Sequence, residues 1–307
     1  MGLTERMPRE RSLRSLTLPQ GFHRVVWQEW GDPDAPNVVV CVHGVGRNAR
    51  DFDLLGEALS DTHRVLAVDM PGRGRSDWLV DPLAYAFPTY LTTLTALIAA
   101  SGADTVGWVG TSMGGLLGIA LAAQPNTPIA RLVVNDVGPV IEPAALERIR
   151  GYLGADPAFE RYEDIAAYVR GISAPFGLLS DAQWDHLVRT NVRQDAEGRW
   201  RLGYDPGIAV PFRAQAAPVD LWPLWDAVRC STLVLRGAQS DLLSAPTAAA
   251  MAARGPRARV VEIADVGHAP MLMDPYQIEV VAAFLRAPEQ ANPCTSTTSK
   301  PEQPTRP

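Results

Sequence analysis

Two rhythms alternate along the chain. Continuous apolar runs at 37–42, 63–68, 105–109, 129–134, 231–236 and 258–263 have the length and character of strands buried on both faces. Between them, 51–59, 88–100, 113–123, 221–228, 246–253 and 275–285 repeat apolar residues at helical spacing, with Leu91, Leu94 and Leu97 recurring on one face. The stretch 22–30 alternates apolar and polar positions and predicts a half-buried strand. Strands separated by helices predict an α/β fold, a parallel doubly wound sheet covered on both faces with right-handed crossovers.

From about 139 to 218 the rhythm changes. Helical patterns at 144–153, 162–171 and 181–191 follow one another without a continuous apolar strand. The organisation expected is a core over 17–138 and 218–286, a helical lid over 139–217, and flexible tails over 1–16 and 287–307, the second rich in Pro, Thr, Ser and Gln. The lid holds nine aromatics: Tyr152, Phe159, Tyr162, Tyr168, Phe176, Trp184, Trp200, Tyr204 and Phe212. Most are expected to pack the lid onto the core, and a few to line an apolar pocket beneath it.

Composition narrows the partners. A net charge of −6 over 307 residues offers no basic footprint for nucleic acid. No apolar stretch approaches the roughly 20 residues of a membrane span, and the N-terminal stretch with Arg6, Arg9, Arg11 and Arg14 has no signal-peptide core. A cytoplasmic protein acting on a small molecule, without nucleic-acid or membrane partners, is the expectation. Cys41 and Cys230 fall in strands and Cys294 in the polar tail, which fits reduced thiols better than a disulfide framework, and their spacing matches no metal site.

The chemistry enters at Gly110-Thr111-Ser112-Met113-Gly114, between a buried strand and a small-residue helix. A serine on a strained strand-to-helix turn crowds its neighbours two positions away, so glycine stands there. The turn lifts the hydroxyl out of the sheet and aims the first helical amides at any negative charge beside it. Ser112 is thus the candidate nucleophile. A carbonyl under attack needs two amide donors: Met113 is expected to supply one, and the loop His43-Gly44-Val45-Gly46 the other, from Val45 or else Gly46. His43 is expected to brace that loop.

Five histidines compete as base. His23, His63 and His186 do not follow a late parallel strand. His268 follows the 258–263 strand, across a loop held short by Gly267 and Pro270, where reactive groups of a doubly wound sheet gather. Its orienting carboxylate is expected to be Asp241, because the strand before it immediately precedes the one leading to His268. Asp136, at the end of the 129–134 strand, is the alternative. Asp69 and the turn 71–77 read as structural.

Taken in order, His-Gly-x-Gly, Asp-x-Pro-Gly-x-Gly-x-Ser, Gly-x-Ser-x-Gly-Gly, Gly-x-x-x-Asp and Gly-His, over about 17–285, resemble the α/β-hydrolase superfamily. That resemblance implies an eight-stranded mostly parallel sheet, a lid after the sixth strand, and no cofactor. The Thr-Ser-Met-Gly-Gly elbow is similar to bacterial intracellular carboxylesterases, and 135–139 to a subset that includes hydrolases of hydroxyalkanoate oligomers. A serine hydrolase of small or medium neutral carboxylic esters, working through an acyl-enzyme, is expected. Lactones, hydroxyalkanoate oligomers and the carbon–carbon bonds of dienoate diketones are the alternatives. Ser112 argues against dehalogenation, for which that branch uses an aspartate.

Overall fold

The computed structural model describes residues 7–214 and 220–288. Among these residues the strands are β1 (Arg9–Thr17), β2 (Gly21–Trp30), β3 (Val38–Val42), β4 (Arg64–Asp69), β5 (Val106–Thr111), β6 (Ile129–Asn135), β7 (Val192–Gln194), β8 (Trp200–Leu202), β9 (Ser231–Gly237) and β10 (Arg259–Ile263). The α-helices among them are α1 (Asp53–Leu59), α2 (Phe87–Ser101), α3 (Met113–Ala122), α4 (Pro143–Tyr152), α5 (Tyr162–Ile172), α6 (Asp181–Asn191), α7 (Ala209–Ala214), α8 (Trp222–Ala227), α9 (Ala245–Ala253) and α10 (Pro275–Arg286). Eight strands form one sheet in the order β1-β2-β4-β3-β5-β6-β9-β10. All neighbours from β4 to β10 pair in parallel, and β2 runs against both β1 and β4.

The unbroken apolarity of β3 follows from burial on both faces. Val38, Val40 and Val42 join the larger core with Leu94 and Leu97 of α2 and Leu117 of α3. Val39 and Cys41 point the other way, into the core shared with Leu55 and Leu59 of α1 and Val281 and Leu285 of α10. Cys41 and Cys230 are unpaired; Cys294 lies outside the described residues. Among the described residues no helix is long and apolar enough to cross a membrane.

Two elements depart from the sequence reading. The stretch 9–16, expected to belong to a flexible tail, makes up β1 together with Thr17, paired with β2 from Arg9 opposite Glu29 to Thr17 opposite Gly21. Its polar sequence suits a sheet edge, where charge opposes further strand pairing. Arg9 anchors it, donating to Glu29 and to the Gly31 carbonyl. Between Val140 and Asp220 lie α4 to α7, but also the hairpin β7–β8, whose three-residue strands are too short to show a period. Of the expected tails, 1–6 and 289–307 lie outside the described residues.

The segment between β6 and β9 leaves and rejoins the sheet at one point, where Val140 bridges Asp220 and the Leu221 N–H donates to the Pro139 carbonyl at 2.8 Å. It is seated on the core loops by polar contacts: Asn48 Nδ2 donates to the Thr190 carbonyl, Gln183 Nε2 to the Met273 carbonyl, and the Asp205 N–H to the Gly72 carbonyl.

Leu117 is fully buried at the centre of the larger core. Leu117→Ala should cost about 2–5 kcal/mol, read as a lower denaturant midpoint at unchanged slope; a loss below about 1 kcal/mol would contradict this packing.

Candidate active site

β5 ends at Thr111 and α3 begins at Met113, which leaves Ser112 alone in the turn with φ 53° and ψ −115°. A Cβ at Gly110 would lie 2.2 Å from the Gly114 carbonyl oxygen, and one at Gly114 would lie 2.0 Å from that of Val42. Nothing larger than glycine fits either place. A non-glycine residue at positive φ costs on the order of 1–3 kcal/mol. Here the surrounding bonds hold it: Ser112 N–H donates to the Asn135 carbonyl at 2.9 Å, and the Ser112 carbonyl accepts from Gly115 and Leu116.

His268 reaches this serine from the loop after β10. Its Nε2 lies 3.0 Å from Ser112 Oγ and its Nδ1 lies 2.8 Å from Asp136 Oδ2. A carboxylate only accepts, so the ring proton sits on Nδ1 and Nε2 is left to accept from the serine hydroxyl. Asp136 is fully buried. Its Oδ1 accepts the Gly237 N–H at 2.8 Å, and its Oδ2 also accepts the Ser240 hydroxyl at 2.7 Å.

The carboxylate beside His268 is therefore Asp136 and not Asp241. Asp241 instead accepts Nε and Nη2 of Arg148, on α4, at 2.6 and 2.8 Å. Burial raises the Asp241 carboxyl, and the Arg148 bonds and charge outweigh that and bring it below its ordinary value. The physical reason lies in the course of the His268 loop. A Cβ on Gly237 would fall 2.3 Å from the Gly267 carbonyl oxygen, so the loop crosses directly over the end of β9. Gln239 N–H donates to the Val266 carbonyl in the same crossing. His268 thereby lands above β6, where the chain turns at Asp136 with φ 56°. Ser240 occupies the inward position of its own loop, also accepting from Leu242 and Leu243, and Asp241 turns outward.

The loop after β3 is braced as expected. His43 Nδ1 donates to the Gly44 carbonyl at 2.7 Å and its Nε2 accepts the Met70 N–H at 3.1 Å. Burial, helped by the charges of Arg73 and Arg47, drives its pKa down to about 3, so it is neutral and both nitrogens are engaged. The Gly44 carbonyl also accepts from Arg47 N–H at 3.1 Å. A trans peptide then aims the Val45 N–H the opposite way. Arg73 Nε fixes the Val45 carbonyl at 2.9 Å. Met113 opens α3, where the first amides have no acceptor within the helix. Val45 and Met113 line one cavity together with Ser112.

Two cavities meet at Ser112. The larger, about 330 Å³, is walled chiefly by apolar residues such as Leu116, Val137, Ile141, Ile149 and Phe212. The smaller, about 70 Å³, is lined by Arg47, Arg148, Tyr152, Phe176, Tyr204 and His268, among others. Four of the nine aromatics expected in the insertion thus reach a cavity. Phe159 packs on Tyr168 with centroids 5.6 Å apart, Tyr162 on Trp200 at 5.1 Å, and Trp184 lies under Arg170.

The Alpha/beta hydrolase family matches residues 39–283. The chain belongs to the α/β-hydrolase family. It is 45% identical over 275 residues to a 3-hydroxybutyrate-oligomer hydrolase of Cupriavidus necator, covering 87% of this chain and 94% of that one. An esterase of Mycobacterium tuberculosis is 30% identical, over 83% of this chain and 84% of its own. An α/β hydrolase from Novosphingobium aromaticivorans superposes with a TM-score of 0.82 at 40% identity, covering 92% and 99% of the two chains. This α/β-hydrolase is a serine hydrolase acting on ester bonds.

Sequence reasoning passed over Asn135 and Ser240. Asn135 Nδ2 donates to Thr111 Oγ1 at 3.0 Å and to the Pro270 carbonyl at 2.7 Å, tying the serine turn of the α/β-hydrolase to its histidine loop. The signal available was their place, beside Asp136 at the end of β6 and three residues past Gly237.

Two outcomes follow for this α/β-hydrolase. Asp136→Asn should lower kcat for an ester by about 10⁴, because an amide favours the wrong histidine tautomer, while Asp241→Asn should cost far less; steady-state kinetics giving the reverse ranking would show that Asp241 moves to His268 during turnover. Acidification should cost stability through His43. Its folded pKa lies below its ordinary value of about 6.5, so between pH 6.5 and its folded value near 3 the unfolded chain binds the extra proton and stability falls as pH falls. The slope is at most about 1.4 kcal/mol per pH unit, and denaturation midpoints of His43→Gln should lack this component.

Proposed function

We propose that this enzyme hydrolyses the ester bonds of short 3-hydroxyalkanoate oligomers, 3-hydroxybutyrate oligomers above all, through an acyl-enzyme on Ser112. The observation that carries the reading is the hydrogen-bonded chain from Ser112 through His268 to Asp136 at the junction of two cavities. The likeness to a 3-hydroxybutyrate-oligomer hydrolase over 94% of that protein's length supports the choice of substrate. An apolar cavity suits the uncharged, methyl-branched interior of such an oligomer, a narrower substrate than neutral esters at large.

In this reading His268 Nε2 takes the Ser112 proton as Oγ attacks the ester carbonyl. The Val45 and Met113 amides receive the developing oxyanion, and the buried Asp136 carboxylate stabilises the imidazolium. His268 then gives the proton to the departing alkoxide of the hydroxyacid. Water, deprotonated by the same nitrogen, hydrolyses the acyl-enzyme, releasing the acid and restoring the serine.

Ser112→Ala should lower kcat on 3-hydroxybutyrate dimers and trimers by on the order of a millionfold, and a fluorophosphonate probe should label wild-type protein at Ser112 alone. p-Nitrophenyl butyrate should be hydrolysed, and vinylogous diketone acids should be cleaved negligibly. A diketone acid turned over with kcat/KM above every ester tested would replace this reading with carbon–carbon hydrolysis.

A further inference from the structure

The two cavities differ in size, and each carries one more cation than carboxylate in its lining. Among the described residues, the Arg, Lys, Asp and Glu side chains lining them are Arg47, Asp51, Arg73 and Arg148, three cations to one carboxylate in a chain whose net charge is −6. Arg47 and Arg148 both belong to the smaller cavity. A Cβ on Gly44 would touch Arg47 Cγ and Ser112 Cβ at 3.6 Å each, so the Arg47 stem runs beside the nucleophile.

Both guanidiniums are oriented by a carboxylate that takes only their Nε and Nη2: Asp51 for Arg47, Asp241 for Arg148. The Nη1 hydrogens lie outside these pairs. The Tyr152 hydroxyl lines the same cavity and is hydrogen-bonded to Arg148. Burial holds it protonated against the pull of Arg148 and Arg47, so with its oxygen accepting from Arg148 its own hydrogen is left to donate. The Arg148–Asp241 pair is partly exposed, and such a pair is cheaply parted or shared.

His268 lines the smaller cavity and is not among the residues lining the larger one. The leaving oxygen must come within reach of His268 Nε2, so the leaving group belongs in the smaller cavity, with Arg47 and Arg148, and the acyl group in the larger one. In a 3-hydroxyalkanoate oligomer cut at its last ester bond, the leaving hydroxyacid carries the free carboxylate only a few bonds from the scissile carbonyl.

We propose that Arg47, Arg148 and Tyr152 form a carboxylate subsite that binds the free-acid end of the substrate on the leaving-group side of Ser112. This rests on the oligomer reading for the substrate, and it assigns the direction in which the oligomer lies. Two guanidiniums and a phenol suit a carboxylate, whose oxygens accept from several donors at once.

The test compares the 3-hydroxybutyrate dimer with its terminal carboxamide, a neutral isostere, on wild-type protein and on Arg148→Met and Arg47→Met. Wild type should favour the acid in kcat/KM by about tenfold or more, with most of the difference in KM, and either substitution should bring the ratio toward one. Equal turnover of acid and amide by wild type, or variants that lower both in proportion, overturns the subsite. A second arm measures 3-hydroxybutyrate and 3-hydroxybutyramide as competitive inhibitors of p-nitrophenyl butyrate hydrolysis by the wild type. The acid should bind tighter by a similar factor; an acid that binds no better than the amide overturns the subsite. If neither dimer is cleaved while the chromogenic ester is, the oligomer reading fails, and the inhibition arm still decides the subsite.

Discussion

The close approach of three backbone segments at Gly110, Gly114 and Val42 is the constraint on which the site depends. With 2.0–2.2 Å between a hypothetical Cβ and the facing carbonyl oxygens, β5, α3 and β3 can meet only where side chains are absent. That contact forces the turn at Ser112 into positive φ, which presents the hydroxyl above the sheet. It also brings the start of α3 beside the loop leaving β3, so that Met113 and Val45 face one cavity. A larger residue at either glycine would separate the nucleophile from its neighbours before it disturbed the rest of the sheet.

A second turn at positive φ completes the arrangement. Asp136 follows β6 as Ser112 follows β5, and these strands are neighbours in register, Asn135 standing opposite Thr111. The two residues are therefore adjacent across the sheet before any histidine arrives. His268 is delivered by a loop that must cross β9, and the bare Gly237 lets it pass. Asn135 locks the result, since its amide holds both the strand carrying the serine and the Pro270 carbonyl beyond the histidine.

Most of the sheet was legible because continuous apolar runs and helical periods are strong signals when both faces are buried. β1 was not legible: at an edge, with mostly polar side chains, nothing in its period separates a strand from a tail. The hairpin β7–β8 is too short to carry a period at all. For the site, Ser112, His268 and the brace role of His43 could be read from local turn chemistry. Asp136 could not be ranked above Asp241 by strand order alone. Strand order says which loops are neighbours, but here the decisive fact is a loop crossing one strand, and its sequence trace is a pair of glycines, Gly237 and Gly267, far apart in the chain. The stretch 135–139, singled out for its likeness to oligomer hydrolases, does contain the residue that meets the histidine.

Arg73 shows how the same economy extends to charge. It sits in a turn read only as structural, yet its side chain is fully buried and no carboxylate pairs with it among the described residues. Its hydrogens go instead to neutral acceptors, the carbonyls of Val45 and Pro71 and the hydroxyl of Tyr90, with the rings of Tyr85 and Tyr90 facing the guanidinium at 5.7 and 5.1 Å. Burying an unpaired cation is costly, and dispersing it over carbonyl dipoles and aromatic faces lowers that cost. The charge that remains is directed. Arg73 touches Val45 and, through Nη2, the sulfur of Met113, the two residues proposed to receive the oxyanion. In a buried site with low dielectric, a fixed positive charge behind both donors favours negative charge in front of them. A carboxylate partner for Arg73 would make the resting fold easier to form, and would cancel that field where the reaction needs it.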